Sequence, residues 1–251
     1  MSKAPNGFIL YQGPSMIDGA PIVAIACRVN STSNNAKTGA MVQTFILRAD
    51  RSPIDAINSG DDASICGHCP HRGAVNNGKN SGRSCYVTVF QAPTAVYKAY
   101  RRGIYPMATP EQAQQWLAGK LVRLGSYGDP GAVPVAVWQN AIARAKAKNG
   151  YTHQWRLFPK LASMCMASCD TPEDYAAAKA LGFRTFRVRA ADEALNNREI
   201  ACPASKEMGT RTNCASCLAC GGTSAKARVD IAIVAHGAAS KINAYAAMRA
   251  A

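Results

Sequence analysis

The chain reads as an α/β protein, a TIM-like (β/α) barrel that is irregular or incomplete, and three observations carry that expectation. Helix-start signals alternate with short apolar strands through the middle of the sequence. The stopping glycines Gly119, Gly150 and Gly182 recur roughly 30 residues apart, near the length of one βα unit. Seven strand candidates can be counted, and residues 22–29 would make an eighth, which fits a closed barrel better than a doubly wound sheet. A chain of 251 residues suits one such barrel domain over 1–251, with a cysteine-rich loop at 198–224 inserted in it.

In chain order, residues 22–29 and 42–48 are the first apolar runs of strand length. The glycine- and asparagine-rich stretch 73–82 reads as loop, and 85–90 reads as a strand. Thr109-Pro110-Glu111-Gln112 starts a helix: Thr109 can cap, Pro110 suits the first turn and Gln112 can close a capping box. That helix stops at Gly119, and 121–125 (LVRLG) follows as a strand. A second helix is expected over 134–148, closed by Asn149-Gly150, and it hands over to Tyr151-Thr152-His153-Gln154-Trp155. Residues 162–167 form the next strand candidate. The pattern returns at Asp170-Thr171-Pro172-Glu173-Asp174, with a helix to Leu181, a stop at Gly182, a strand at 183–189 and a last strand at 229–235. The connection 156–161 is too short for a crossover helix, so the barrel is expected to be irregular or open there.

Composition bounds the class. Hydrophobic residues at 48% and charged residues at 18% are those of a folded protein and not of a disordered one. The net charge of +14 makes a field that attracts nucleic acid, an anionic membrane or an acidic partner, and charge alone does not choose among them. No apolar run is long enough to span a membrane and no secretory signal is read, so no membrane partner is expected. A chain of this size does not need disulfide staples, so its ten cysteines point to metal in a reducing cytoplasm.

The strongest motif is Cys202-Pro203 followed by Cys214-Ala215-Ser216-Cys217-Leu218-Ala219-Cys220. A C-x2-C-x2-C run places three thiolates around one tight turn, each suited to a different iron of a cubane, and a remote fourth cysteine completes the set. Zinc fits less well, because structural zinc usually takes separated C-x2-4-C pairs around one ion. The bland alternative is four cysteines without metal. A second group is Cys66-Gly67-His68-Cys69-Pro70-His71, followed by Cys85. Either it forms a second metal site, zinc or iron–sulfur, or its members join the first site, or its cysteines are structural. Cys27, Cys165 and Cys169 are read as core residues, since free cysteine packs as a small hydrophobe.

A barrel works where its strands end. Asp129, His153, Asp170 and His236 stand at such ends and are candidate barrel-mouth residues. The alternative for Asp129 and Asp170 is helix capping, and for the histidines a hydrogen-bonded structural role. Tyr97, Tyr100 and Tyr105 interleave with Lys98, Arg101 and Arg102, a composition that can stack bases and neutralise phosphates, with Tyr100, Arg101 and Arg102 the candidate nucleic-acid contacts. A solvated helix face would look the same.

The stretches KTGAMVQTFIL (37–47), ICGHCPHR (65–72), SCYV (84–87), GSYGDP (125–130), YTHQWR (151–156) and CPASKEMG followed by CASCLAC resemble a family of phage-encoded iron–sulfur proteins of unassigned activity. The resemblance runs over most of the chain. It implies a 4Fe-4S cluster on Cys202, Cys214, Cys217 and Cys220, Cys66, Cys69 and Cys85 as further recurrent cysteines, a redox or structural role with a redox partner in the former case, and the cytoplasm of a phage host. It supplies no substrate. A more distant similarity is to radical S-adenosylmethionine enzymes, which also join a βα barrel to a cubane. Their C-x3-C-x2-C is absent: Cys165 and Cys169 give the first spacing, but Pro172 stands where the third cysteine belongs.

Overall fold

A computed structural model describes residues 4–31, 35–224, 227 and 229–250. The helices are α1 (Pro53–Ser59), α2 (Ala63–Cys66), α3 (Ala92–Arg101), α4 (Pro110–Trp116), α5 (Val135–Ile142), α6 (Pro172–Ala180), α7 (Cys214–Cys217) and α8 (Ala239–Ala250). The strands are β1 (Gly7–Pro14), β2 (Pro21–Cys27), β3 (Val42–Arg48), β4 (Ala74–Asn76), β5 (Lys79–Ser81), β6 (Leu121–Tyr127), β7 (Ala147–Thr152), β8 (Met166–Ser168), β9 (Thr185–Arg189), β10 (Glu199–Ala201) and β11 (Asp230–Val234).

Nine strands make one mixed sheet in the order β1-β2-β3-β6-β7-β8-β9-β11-β10. The first three pair antiparallel, and from β3 to β10 every pairing is parallel. Within the parallel part β3, β6, β7, β8, β9 and β11 follow chain order without reversal, the order that successive crossovers of one hand produce. The α/β class with a large, mostly parallel sheet is therefore as expected. Barrel closure would need a ladder between β1 and β10, and among the described residues none joins them.

Local signals explain the helices that were legible. Thr109 accepts from the Gln112 N–H while the Gln112 side chain accepts from the Thr109 N–H, a complete capping box, and Pro110 opens α4. Thr171 caps α6 at the Asp174 N–H. Gly119 and Gly182 follow their helices at positive φ, the backbone region that glycine adopts without a Cβ clash.

Several expectations are corrected. Residues 73–82 are not plain loop: β4 and β5 form a hairpin around Asn77 and Gly78, both at positive φ, as a tight Asn-Gly turn requires. Residues 85–90 form no strand, because both edges of β3 are already taken, by β2 and β6, and the segment crosses over between them. The helix over 134–148 ends at Ile142, and Asn149-Gly150 lies inside β7, not at a helix stop. A Cβ on Gly150 would sit 2.8 Å from Cys165 Sγ and 3.1 Å from Leu124 Cβ, so close strand packing and not helix termination demands glycine there. The strand expected at 162–167 is shortened to β8 by a 3-10 turn at Pro159–Ser163, and β7 and β8 are joined without a crossover α-helix, as the short 156–161 segment implied. β1 and β10 were not anticipated.

The main core joins β1, β2, β3, β6 and the flanking helices, with Trp138 and Trp155 fully buried. Cys27, Cys165 and Cys169 belong to it, as read from sequence. Cys202, Ala204, Met166, Ile231 and Ile233 form a second cluster beneath the cysteine-rich segment.

Candidate functional site

Alternate residues of a strand share a face. Gln43 and Phe45 of β3, Arg123, Gly125 and Tyr127 of β6, Asn149 and Tyr151 of β7, Phe186 and Val188 of β9, and Ile231 and Ile233 of β11 all line one cavity of about 530 Å³. That volume is in the range of small-molecule sites. Both cysteine groups reach it: Cys66, Cys69 and Cys85 from the connection between β3 and β6, and Cys202, Cys214, Cys217 and Cys220 from the connection between β10 and β11. Asp129, His153, Asp170 and His236 line it too, so the sheet gathers all four barrel-mouth candidates.

The four-cysteine group is held by backbone. Cys202 leaves β10 and donates its N–H to Ala232 O at 2.8 Å. Cys214 starts α7 behind its cap, Asn213, and donates to Lys37 O at 2.8 Å. Leu218 then turns at positive φ, which reverses the chain so that Cys220 returns toward the sheet, where Gly150 N–H donates to its carbonyl. Gly222 follows where a Cβ would lie 2.6 Å from Met164 N. Buried Arg184 donates to Ala219 O at 2.7 Å and Gly222 O at 3.1 Å, fixing the end of this segment.

Electrostatics link three of the four thiols, those of Cys202, Cys214 and Cys220, to two cations. Burial raises the Cys202 and Cys220 thiols, the latter to about 12, and the neighbouring cysteines of the group add to both rises. Lys37 is half-buried with Nζ 3.0 Å from His236 Nε2, and burial lowers its pKa while Cys202, Cys214 and Cys220 oppose that. Arg123 is 7% exposed, donates to Tyr86 Oη at 3.0 Å and stacks over Tyr151. Burial works against its charge, and Tyr86, Tyr151, Cys214 and Cys220 outweigh burial. Among the described residues neither Lys37 nor Arg123 has a carboxylate partner within ion-pair distance.

Across the cavity, Asp170 accepts from His153 Nε2 at 3.1 Å and lies 3.4 Å from His71 Nε2. His71 Nδ1 is 2.8 Å from Ser84 Oγ. Burial would raise Asp170, but His153 and His71 hold it well below the usual carboxylate range. These three are the one set among the described residues whose ligand atoms lie within 4.8 Å of one another. Asp129 is a structural cap, accepting from Gly131 N–H, Thr152 Oγ1 and His153 N–H. Asp170 does not cap α6, since Thr171 does.

The tyrosines of the basic stretch turn inward. Tyr97 is buried and Tyr100 and Tyr105 pack against the core, while the basic residues Lys98, Arg101 and Arg102 are exposed. Sequence reading missed Lys37 and Arg123; the available signal for Arg123 was a lone charge in the apolar strand LVRLG. Compared with protein-family models, curated proteins and solved structures, the chain matches none. No helix among the described residues is long and apolar enough to cross a membrane.

Proposed function

We propose that this chain is an iron–sulfur protein whose 4Fe-4S cluster is held by Cys202, Cys214, Cys217 and Cys220 at the wall of the cavity. The observation that carries the reading is the pair Lys37 and Arg123, cations that interact with Cys202, Cys214 and Cys220 and have no carboxylate partner among the described residues. Unpaired buried charge is costly. A cubane in its oxidised resting state with four thiolates carries two net negative charges, which these two cations match. Spacing weighs against zinc: no three of the four sulfurs lie within 4.8 Å of one another, whereas a zinc–sulfur bond of about 2.3 Å puts the sulfurs of one tetrahedron roughly 3.8 Å apart. A cubane, with one thiolate per iron, spreads them wider. When bound, the cluster supplies one-electron chemistry; the chain contributes the charge match and the Tyr151 contact to Cys220.

The resemblance to phage-encoded iron–sulfur proteins points the same way. A redox enzyme is the second reading, favoured by the cavity and its His71–Asp170–His153 group; an electron-transfer role needs only a partner. A nucleic-acid role keeps the charge of +14 in its favour but loses the tyrosines that would stack.

Iron, acid-labile sulfide and zinc should be counted on anaerobically purified protein, with an electron paramagnetic resonance spectrum after dithionite. Cys217→Ser should lose about four irons and four sulfides per chain relative to the native protein, and Cys165→Ser should lose none. Full retention of iron and sulfide in Cys217→Ser, or zinc without sulfide in the native protein, would overturn the assignment.

A further inference from the structure

The second cysteine group is built as a site in its own right, and its reading rests on the first only in leaving Cys202, Cys214, Cys217 and Cys220 to the other cluster. Cys66 ends α2, Cys69 follows the turn at Gly67, and Cys85 is brought to them by its N–H bond to His71 O at 3.0 Å. All three line the cavity. Cys69 N–H donates to Cys66 O at 3.3 Å, so backbone bonds hold the three cysteines in one loop cluster.

That neighbourhood carries surplus positive charge and unmet donors. Arg72 and Arg83 share the single carboxylate of Asp62, which leaves one positive charge over. Lys241 stands nearby, its Nζ donating to Arg83 O at 3.0 Å. Arg83 is 8% exposed, yet its Nε–H has no acceptor, and the hydroxyl of Tyr127, 2% exposed, has no partner either. Arg83 stands two residues before Cys85, and Tyr127 lines the same cavity as the three thiols. Two buried donors without acceptors beside three thiols call for an acceptor-rich anion between them. Sulfide and thiolate sulfurs of a cluster are such acceptors.

No three of these ligand atoms lie within the 4.8 Å that joins His71, His153 and Asp170, so the set is wider than a single-ion tetrahedron. It also lacks a fourth cysteine, because Cys27, Cys165 and Cys169 are in the core and the other four form the first group. His153, tied to Asp170, is the remaining side chain against Cys69.

We propose that Cys66, Cys69 and Cys85 hold a second 4Fe-4S cluster through three thiolates, with its fourth iron open to the cavity beside His153. That iron takes an exchangeable oxygen or nitrogen ligand from the cavity, which makes this group, and not the four-cysteine one, the place where a small molecule meets metal. An iron without a thiolate is the first lost on oxidation: one electron passes to ferricyanide, and the oxidised cubane releases one ferrous ion to leave a paramagnetic three-iron cluster.

The test counts iron and sulfide on the native protein, on Cys217→Ser and on Cys66→Ala/Cys69→Ala, and records paramagnetic resonance after ferricyanide. The expected result is about eight irons and eight sulfides for the native protein and about four of each for either variant. The three-iron signal should appear in the native protein and in Cys217→Ser, and be lost in Cys66→Ala/Cys69→Ala. About four irons in the native protein, all lost in Cys217→Ser, would overturn this proposal while leaving the first cluster standing. Zinc without extra sulfide, or eight irons with no three-iron signal, would overturn it as well. The native count and the Cys217→Ser signal decide the matter even where the double variant fails to fold.

Discussion

Replacing Asp62 by Asn should be among the most damaging single changes outside the sheet. Its side chain is 1% exposed and accepts from Arg72 Nε at 3.0 Å, Arg72 Nη2 at 2.6 Å and Arg83 Nη1 at 3.0 Å. Arg72 follows Cys69 and Arg83 precedes Cys85, so one carboxylate ties both ends of the second cysteine group. Asn keeps the shape, removes the charge and turns one acceptor into a donor aimed at a donor. Arg72, 21% exposed on its side chain, can relax toward water; Arg83, at 7%, cannot. Removing one partner of a buried pair costs about 3–5 kcal/mol, because the survivor is left uncompensated. For a chain of this size that corresponds to a fall in Tm of roughly 6–20 °C. Thermal and urea unfolding of the metal-free protein measure it, with Asp62→Asn/Arg83→Met as the control. The double variant should recover a substantial part of the loss, since it deletes the stranded charge. A single-variant loss under about 1 kcal/mol, or a double variant worse than the sum of its parts, would refute the account.

Gly150→Ala should destabilise by about 1–3 kcal/mol through overpacking against Cys165 and Leu124, and Gly150→Ala/Cys165→Ala should relieve much of that in denaturant titrations. Burial would raise Glu199, but Arg187 and the Asn196 N–H hold it below its ordinary range. Its contribution is therefore fully present above the unfolded value of about 4.3 and lost as pH falls through the lower folded value; Glu199→Gln should flatten that acid limb of stability against pH. Arg123→Met should make the cluster on Cys202, Cys214, Cys217 and Cys220 harder to reduce, by on the order of tens of millivolts, because reduction adds negative charge beside a lost cation; an unchanged or raised potential in a redox titration would contradict the charge match. In the metal-free protein the same substitution should cost little stability, since it removes an unpaired buried charge.

What the sequence by itself determined is what neighbouring residues decide. The capping box of Thr109 and Gln112, the prolines opening α4 and α6, the glycines after them and the apolar run that became β3 act within a few residues of chain, and their interactions are nearly complete before any tertiary contact forms. The C-x2-C-x2-C spacing is local in the same way. Errors came where a local signal had a distant competitor. Asn149-Gly150 has the composition of a helix stop, yet Cys165 and Leu124 claim it for β7; residues 85–90 alternate like a strand, yet no free edge of β3 remains for them. Only the tertiary structure brought Lys37 and Arg123 to the first cysteine group, and Tyr127 and His153 to the second. Those pairs are set by strand order across the sheet, and long-range placement of single charges leaves no periodicity for a sequence to show.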